Sequence, residues 1–86
     1  MDAETLEREL RKYIVENFLF GDESAELADD TSFLETGMID STGVLELIRY
    51  LEESCGIQVT DEEIVPDNLD SIAKISRFVR AKQGRG

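Results

Sequence analysis

Residues 37–48 read GMIDSTGVLELI, and the run continues as RYLEESCG to residue 56. From Ser41 onward the apolar residues fall at helical spacing, with Val44, Leu47, Ile48, Leu51 and Cys55 on one stripe. Thr42, Glu46, Arg49 and Glu53 occupy the opposite side, a polar face of alternating sign. Leu45 falls between the two and is expected to be partly exposed. Gly56 is a natural stop. The spacing predicts a helix over 41–55 with one buried side, on which Cys55 is a packed thiol rather than a reactive one. Asp40 and Ser41 stand at its mouth, where either residue can be the N-cap. An Asp-Ser pair before a helix is common, so the pair alone does not separate a capping serine from one that serves as a handle.

N-terminal to this stretch, residues 21–40 hold no period. A connection of that length in a small domain is functional or disordered. Leu27, Phe33, Leu34, Met38 and Ile39 are too many apolar residues for a free linker, so the loop is expected to be pinned across the core. Before it, residues 3–18 read as a helix. Ala3, Leu6, Leu10, Tyr13, Ile14 and Asn17 lie on one side, Glu4, Arg8, Arg11 and Lys12 on the other, with Asp2 as the cap and Gly21 as the end of the pattern.

C-terminal to it, Thr60 and Glu63 form a capping box opening a short helix that Pro66 limits to little more than a turn. A last helix starts near Asp70, with Ile72, Ile75 and Val79 on one face and Phe78 beside them, and fades into a loose tail, AKQGRG. The fold class is therefore all-α: three longer helices, one short one and a long first loop. Residues 57–59, IQV, are too few to argue for a sheet.

The chain has 86 residues, 41% hydrophobic and 34% charged, which allows one small domain with a single core. Its net charge of −11 is unevenly spread. Residues 21–40 carry seven acidic and no basic side chains; residues 71–86 carry Lys74, Arg77, Arg80, Lys82 and Arg85 and no acid. The chain lacks the basic stripe of a nucleic-acid binder. No stretch approaches a membrane span, and MDAETLERELRK is no signal peptide, so a cytoplasmic protein with no membrane partner is expected. An acidic middle suits partners with basic patches.

Catalytic groups are scarce. There is no histidine, hence no Ser-His or Cys-His pairing and no zinc site of the usual kind. A calcium loop starting at Asp22 would need glycine at position 27 and glutamate at position 33, where Leu27 and Phe33 stand.

Taken in order, DDTSFLETGMIDS, a glutamate-rich apolar helix, EEIVP and NLDSI resemble the acyl carrier protein family over roughly residues 4 to 80. The most specific part is the spacing from Phe33-Leu34-x-x-Gly37 to Asp40-Ser41. The resemblance implies a carrier domain over 1–80, a flexible tail at 81–86, and an acyl-carrier-like four-helix bundle. Ser41 would carry 4′-phosphopantetheine, placed by a phosphopantetheinyl transferase from coenzyme A with magnesium, and Asp40 would support that transfer. The arm would hold an acyl or aminoacyl group as a thioester. A phosphate on Ser41 would lie at a helix N-terminus, where free N–H groups and the macrodipole favour negative charge.

By the same resemblance, Thr42, Leu45, Glu46, Arg49, Glu52 and Glu53, with Asp40, form a docking face. The partners are an acyl- or aminoacyl-activating ligase and a downstream synthase or transferase, and the carrier is a monomer without catalytic activity of its own. Fatty-acid carriers usually read Asp-Ser-Leu, whereas this chain has Thr42 and then Gly43, nearer the D-alanyl and free-standing peptidyl carriers. That departure favours an aminoacyl or specialised acyl cargo over a growing fatty chain. Gly43 would let a partner or the arm approach closely. The competing class is an unmodified acidic helical adaptor that uses the same face and Ser41 only as a cap.

Overall fold

The computed structural model describes residues 2–19 and 27–84. Three longer helices carry the structure: α1 over Ala3–Phe18, α3 over Ser41–Cys55 and α5 over Ile72–Lys82. Single turns lie between them, α2 over Phe33–Thr36, a 3₁₀ turn over Asp61–Glu63, and α4 over Pro66–Leu69. The all-α class follows the periodicity; the short elements are more numerous than one. Among the described residues there is no strand, and no helix is long and apolar enough to cross a membrane.

Helix α1 starts where Asp2 Oδ1 accepts the Thr5 N–H at 2.7 Å, and buries Leu6, Leu10 and Ile14. Asn17, on the same predicted side, is exposed; its amide donates to the Tyr13 carbonyl at 2.8 Å, so the polar group stays on its own helix. The expected end at Gly21 lies outside the described residues. Helix α3 buries Leu47, Ile48 and Leu51 and ends on Gly56, whose φ of 68° is a left-handed value that favours glycine. Val44 and Cys55 of the predicted stripe are only half-buried. Burial still pushes the Cys55 thiol up, away from the reactive thiolate.

The 3₁₀ turn ends at Glu63 with Ile64 as its cap, and Pro66 opens α4, because its fixed φ and missing N–H suit the first helical position. The last helix starts near Asp70, as expected; Asp70 itself closes α4, its N–H donating to the Pro66 carbonyl at 2.9 Å. Ser71 is the cap of α5, accepting the Lys74 N–H at 3.1 Å. The helix runs through Lys82, and Gln83 donates from its side chain to the Cys55 carbonyl at 3.1 Å.

The core joins Leu6, Leu10 and Ile14 to Ile72, Ile75 and Val79 and to Leu47 and Leu51. From Leu27 onward the first connection is pinned to this core, as its apolar content predicts. The Arg11 guanidinium donates to the Leu27 carbonyl and to the Asp29 carboxylate, while the Asp29 carbonyl accepts the Ala73 N–H at 2.9 Å. Phe33 and Ile39 are buried, whereas Leu34 turns outward.

Ser76 is 2% exposed on α5, and among the described residues its hydroxyl has no hydrogen-bond partner. Ser76→Ala removes an unsatisfied buried oxygen and is expected to raise unfolding free energy by about 1 kcal/mol in urea titration; a loss of stability would show that the hydroxyl is bonded. Glu63 accepts the Thr60 N–H at 3.0 Å and the Lys82 ammonium at 2.9 Å, which hold its carboxyl below the usual 4.5. A folded pKa below the unfolded one stabilises fully above the unfolded value and is lost as pH falls through the folded one. Melting temperatures of wild type and Glu63→Gln should therefore differ at neutral pH and converge as pH drops below 4.5. A gap that persists throughout the acid range would contradict the assignment.

Candidate functional site

The mouth of α3 is capped by Asp40 and not by Ser41. Asp40 Oδ1 accepts the Gly43 N–H at 2.7 Å, and its carbonyl accepts the Val44 N–H at 2.9 Å. Ser41 is the first helical residue; it is exposed, and its hydroxyl makes no hydrogen bond among the described residues. The Ser41 and Thr42 N–H groups likewise have no protein acceptor there. A serine hydroxyl without a structural duty thus stands beside two unclaimed amides at the positive end of a helix of four turns, an arrangement that fits a phosphodiester. Capping is Asp40's work, which leaves no capping role for Ser41.

Gly43 does not leave room for an approaching partner. It is buried, and a Cβ built on it would lie 2.7 Å from Phe18 Cε1 and 2.9 Å from Ile39 Cγ2. The missing side chain lets Phe18 of α1 and Ile39 close against the first turn of α3, so the space is filled from within.

Ser41 also stands on the rim of a cleft of about 420 Å³. Phe33 and Leu34 of α2 form one wall, Val44 and Leu45 of α3 a second, and Ile64, Val65, Pro66 and Leu69 the third. Among the described residues, Ser41 and Asp70 are the only polar ones lining it. Among the described residues, the large hydrophobic ones most exposed to solvent, Leu34, Leu45 and Val65, all belong to this cleft. Leu45 was legible as partly exposed from its position between the faces of α3. Leu34 and Val65 were not, since neither lies in a periodic segment. Val44 and Ile64 line the cleft, while Leu47 and Ile72 are buried in the core.

Thr42, Leu45, Glu46, Arg49 and Glu53 are exposed together along α3. Glu52 is not free to join them. It is half-buried, and its Oε2 accepts the Val59 N–H at 3.0 Å, tying the end of α3 to the segment after it.

A small helical domain that presents an exposed serine without a hydrogen-bond partner at a helix start, next to an apolar cleft, has the build of a module made to be modified. The family model described as a phosphopantetheine attachment site matches residues 8–79. The chain is 32% identical over 76 residues to a D-alanyl carrier protein of Streptococcus pyogenes serotype M5, covering 86% of this chain and 95% of that one. It is 26% identical over 80 residues to an acyl carrier protein of Chlamydia caviae, covering 93% and 99%. The chain belongs to the acyl carrier protein family. Its cofactor is covalently attached 4′-phosphopantetheine, and it is a non-catalytic carrier that a transferase modifies.

Proposed function

We propose that Ser41 bears the phosphopantetheine and that the chain carries an apolar acyl group on it, from an activating ligase to a downstream synthase or transferase. The observation that carries this reading is the place of exposed Ser41 among the lining residues of a cleft that is otherwise almost wholly apolar. The cofactor supplies a thiol that holds the acyl group as a thioester. Everything else falls to the chain: the Ser41 and Thr42 amides face the phosphate, and the cleft takes the chain of the cargo out of water. Asp40, with one carboxylate oxygen on the Gly43 N–H, keeps the other for the magnesium of the transfer reaction. Thr42, Leu45, Glu46, Arg49 and Glu53 form the face that partners read, and the carrier works as a cytoplasmic monomer.

The relatives' names divide between D-alanyl and acyl cargo. An alanyl group brings an ammonium, which is costly to place among apolar side chains without a partner. Each methylene of an aliphatic chain contributes about 0.8 kcal/mol on burial there. The cleft therefore favours the acyl reading over the aminoacyl one that Thr42 and Gly43 suggest. The test is to load the modified protein with octanoyl, acetyl or D-alanyl groups and to follow thioester cleavage by hydroxylamine. With each rate taken relative to the same thioester of free pantetheine, the octanoyl form is expected to be protected and the acetyl and D-alanyl forms to show no protection. Equal rates for octanoyl and acetyl would count against a chain held in the cleft.

A further inference from the structure

We propose that Asp70 is the positioning residue of this cleft, fixing the α2 wall beside Ser41. The proposal rests on the reading that the cleft takes the acyl chain. Helix α2 is a single turn, too short to be stable by itself, yet Phe33 and Leu34 make one whole side of the cleft. Among the described residues, every hydrogen bond from α2 and its cap to another element ends on Asp70. The Phe33 N–H donates to the Asp70 carbonyl at 3.0 Å and the Leu34 N–H to its Oδ1 at 2.9 Å, while the Ser32 hydroxyl donates to Oδ2.

Asp70 is itself firmly placed, between buried Leu69 and buried Ser71 and with its N–H on the Pro66 carbonyl. Both carboxylate oxygens are turned to α2, so a charged residue on the cleft wall leaves the interior apolar. The same bonds set the gap between α2 and the Val44–Leu45 wall. Asp70 touches neither the phosphate nor the cargo in this scheme; it acts through Phe33 and Leu34.

The experiment compares wild type, Asp70→Ala, Asp70→Asn and Ser32→Ala. In the unmodified proteins, amide exchange of Leu34 is followed against amides in the middle of α3. In the octanoyl- and acetyl-loaded proteins, hydroxylamine cleavage is measured. Asp70→Ala is expected to speed Leu34 exchange and octanoyl cleavage by about fivefold each, the scale of one net hydrogen bond. Exchange within α3 and acetyl cleavage should stay unchanged. Asp70→Asn, which still presents an oxygen to the Leu34 N–H, should restore most of the protection, and Ser32→Ala should shift both rates in the same direction as Asp70→Ala, by less. Wild-type octanoyl protection in Asp70→Ala would overturn the proposal, as would an equal rise in acetyl and octanoyl cleavage. Should Asp70→Ala fail to fold, Ser32→Ala decides by the same readings. Absence of chain-length protection in the wild type would remove the cleft reading alone. Leu34 exchange would then decide Asp70's part, with an unchanged rate in Asp70→Ala overturning it.

Discussion

Gly43→Val is expected to destabilise the protein by about 2 kcal/mol in urea titration, despite leaving glycine out of a helix interior. Replacing a helical glycine with alanine ordinarily gains up to about 1 kcal/mol. Here even the first added carbon would meet Phe18 Cε1 at 2.7 Å and Ile39 Cγ2 at 2.9 Å, and Asp40 Oδ1 lies 3.3 Å away. Overpacking of this kind costs about 1 to 3 kcal/mol. Gly43→Ala, in which half-buried Phe18 can yield, should lie near neutral because the two effects oppose. Gly43→Val, with two more carbons and a β-branch, cannot be accommodated by Phe18 alone. The displacement also pushes on Asp40, so the valine variant should become a poorer substrate of the transferase than its stability explains. A valine variant as stable as the wild type would show that α1 does not close on the first turn of α3.

Val44→Trp is expected to abolish the protection of an octanoyl cargo, bringing its hydroxylamine cleavage to the acetyl rate. Val44 is half-buried and lines the wall of the cleft nearest Ser41. A tryptophan there occupies the space that the acyl chain would take. Two methylenes expelled from an apolar cleft already correspond to about a tenfold change at about 0.8 kcal/mol each. The variant should still accept phosphopantetheine, because Ser41, Asp40 and the first-turn amides are untouched. Retained octanoyl protection with the cleft filled would place the chain elsewhere on the carrier.

The long helices were legible because each buries a stripe at regular spacing: Leu6, Leu10 and Ile14 in α1, Leu47, Ile48 and Leu51 in α3. Single turns offer no such period. Helix α2 went unread for that reason, although Ser32-Phe33-Leu34-Glu35 carries the same capping pattern that revealed Thr60 and Glu63, and Gly37 closes it at a φ of 74°. Ser41 and Asp40 were visible as a pair, but which of them caps the helix is a matter of side-chain geometry. Contacts across the fold left no mark on the local sequence. Glu52 reaches Val59, and Asp70 reaches α2 across 36 positions to Leu34. Each looked locally like a surface carboxylate or a helix start. The exposed face of α3 could be read from periodicity, whereas the cleft needed three segments to be brought together.

Carriage of any cargo by this chain requires Ser41 to be the point of attachment. The direct measurement is intact-protein and peptide mass spectrometry after incubation with coenzyme A, magnesium and a broad-specificity phosphopantetheinyl transferase, with Ser41→Ala alongside. The wild type should gain the mass of one phosphopantetheine, located on Ser41 in the peptide that contains it, and folded Ser41→Ala should gain nothing. A folded wild type that stays unmodified while a control carrier is modified, or an arm found on another residue, would contradict it.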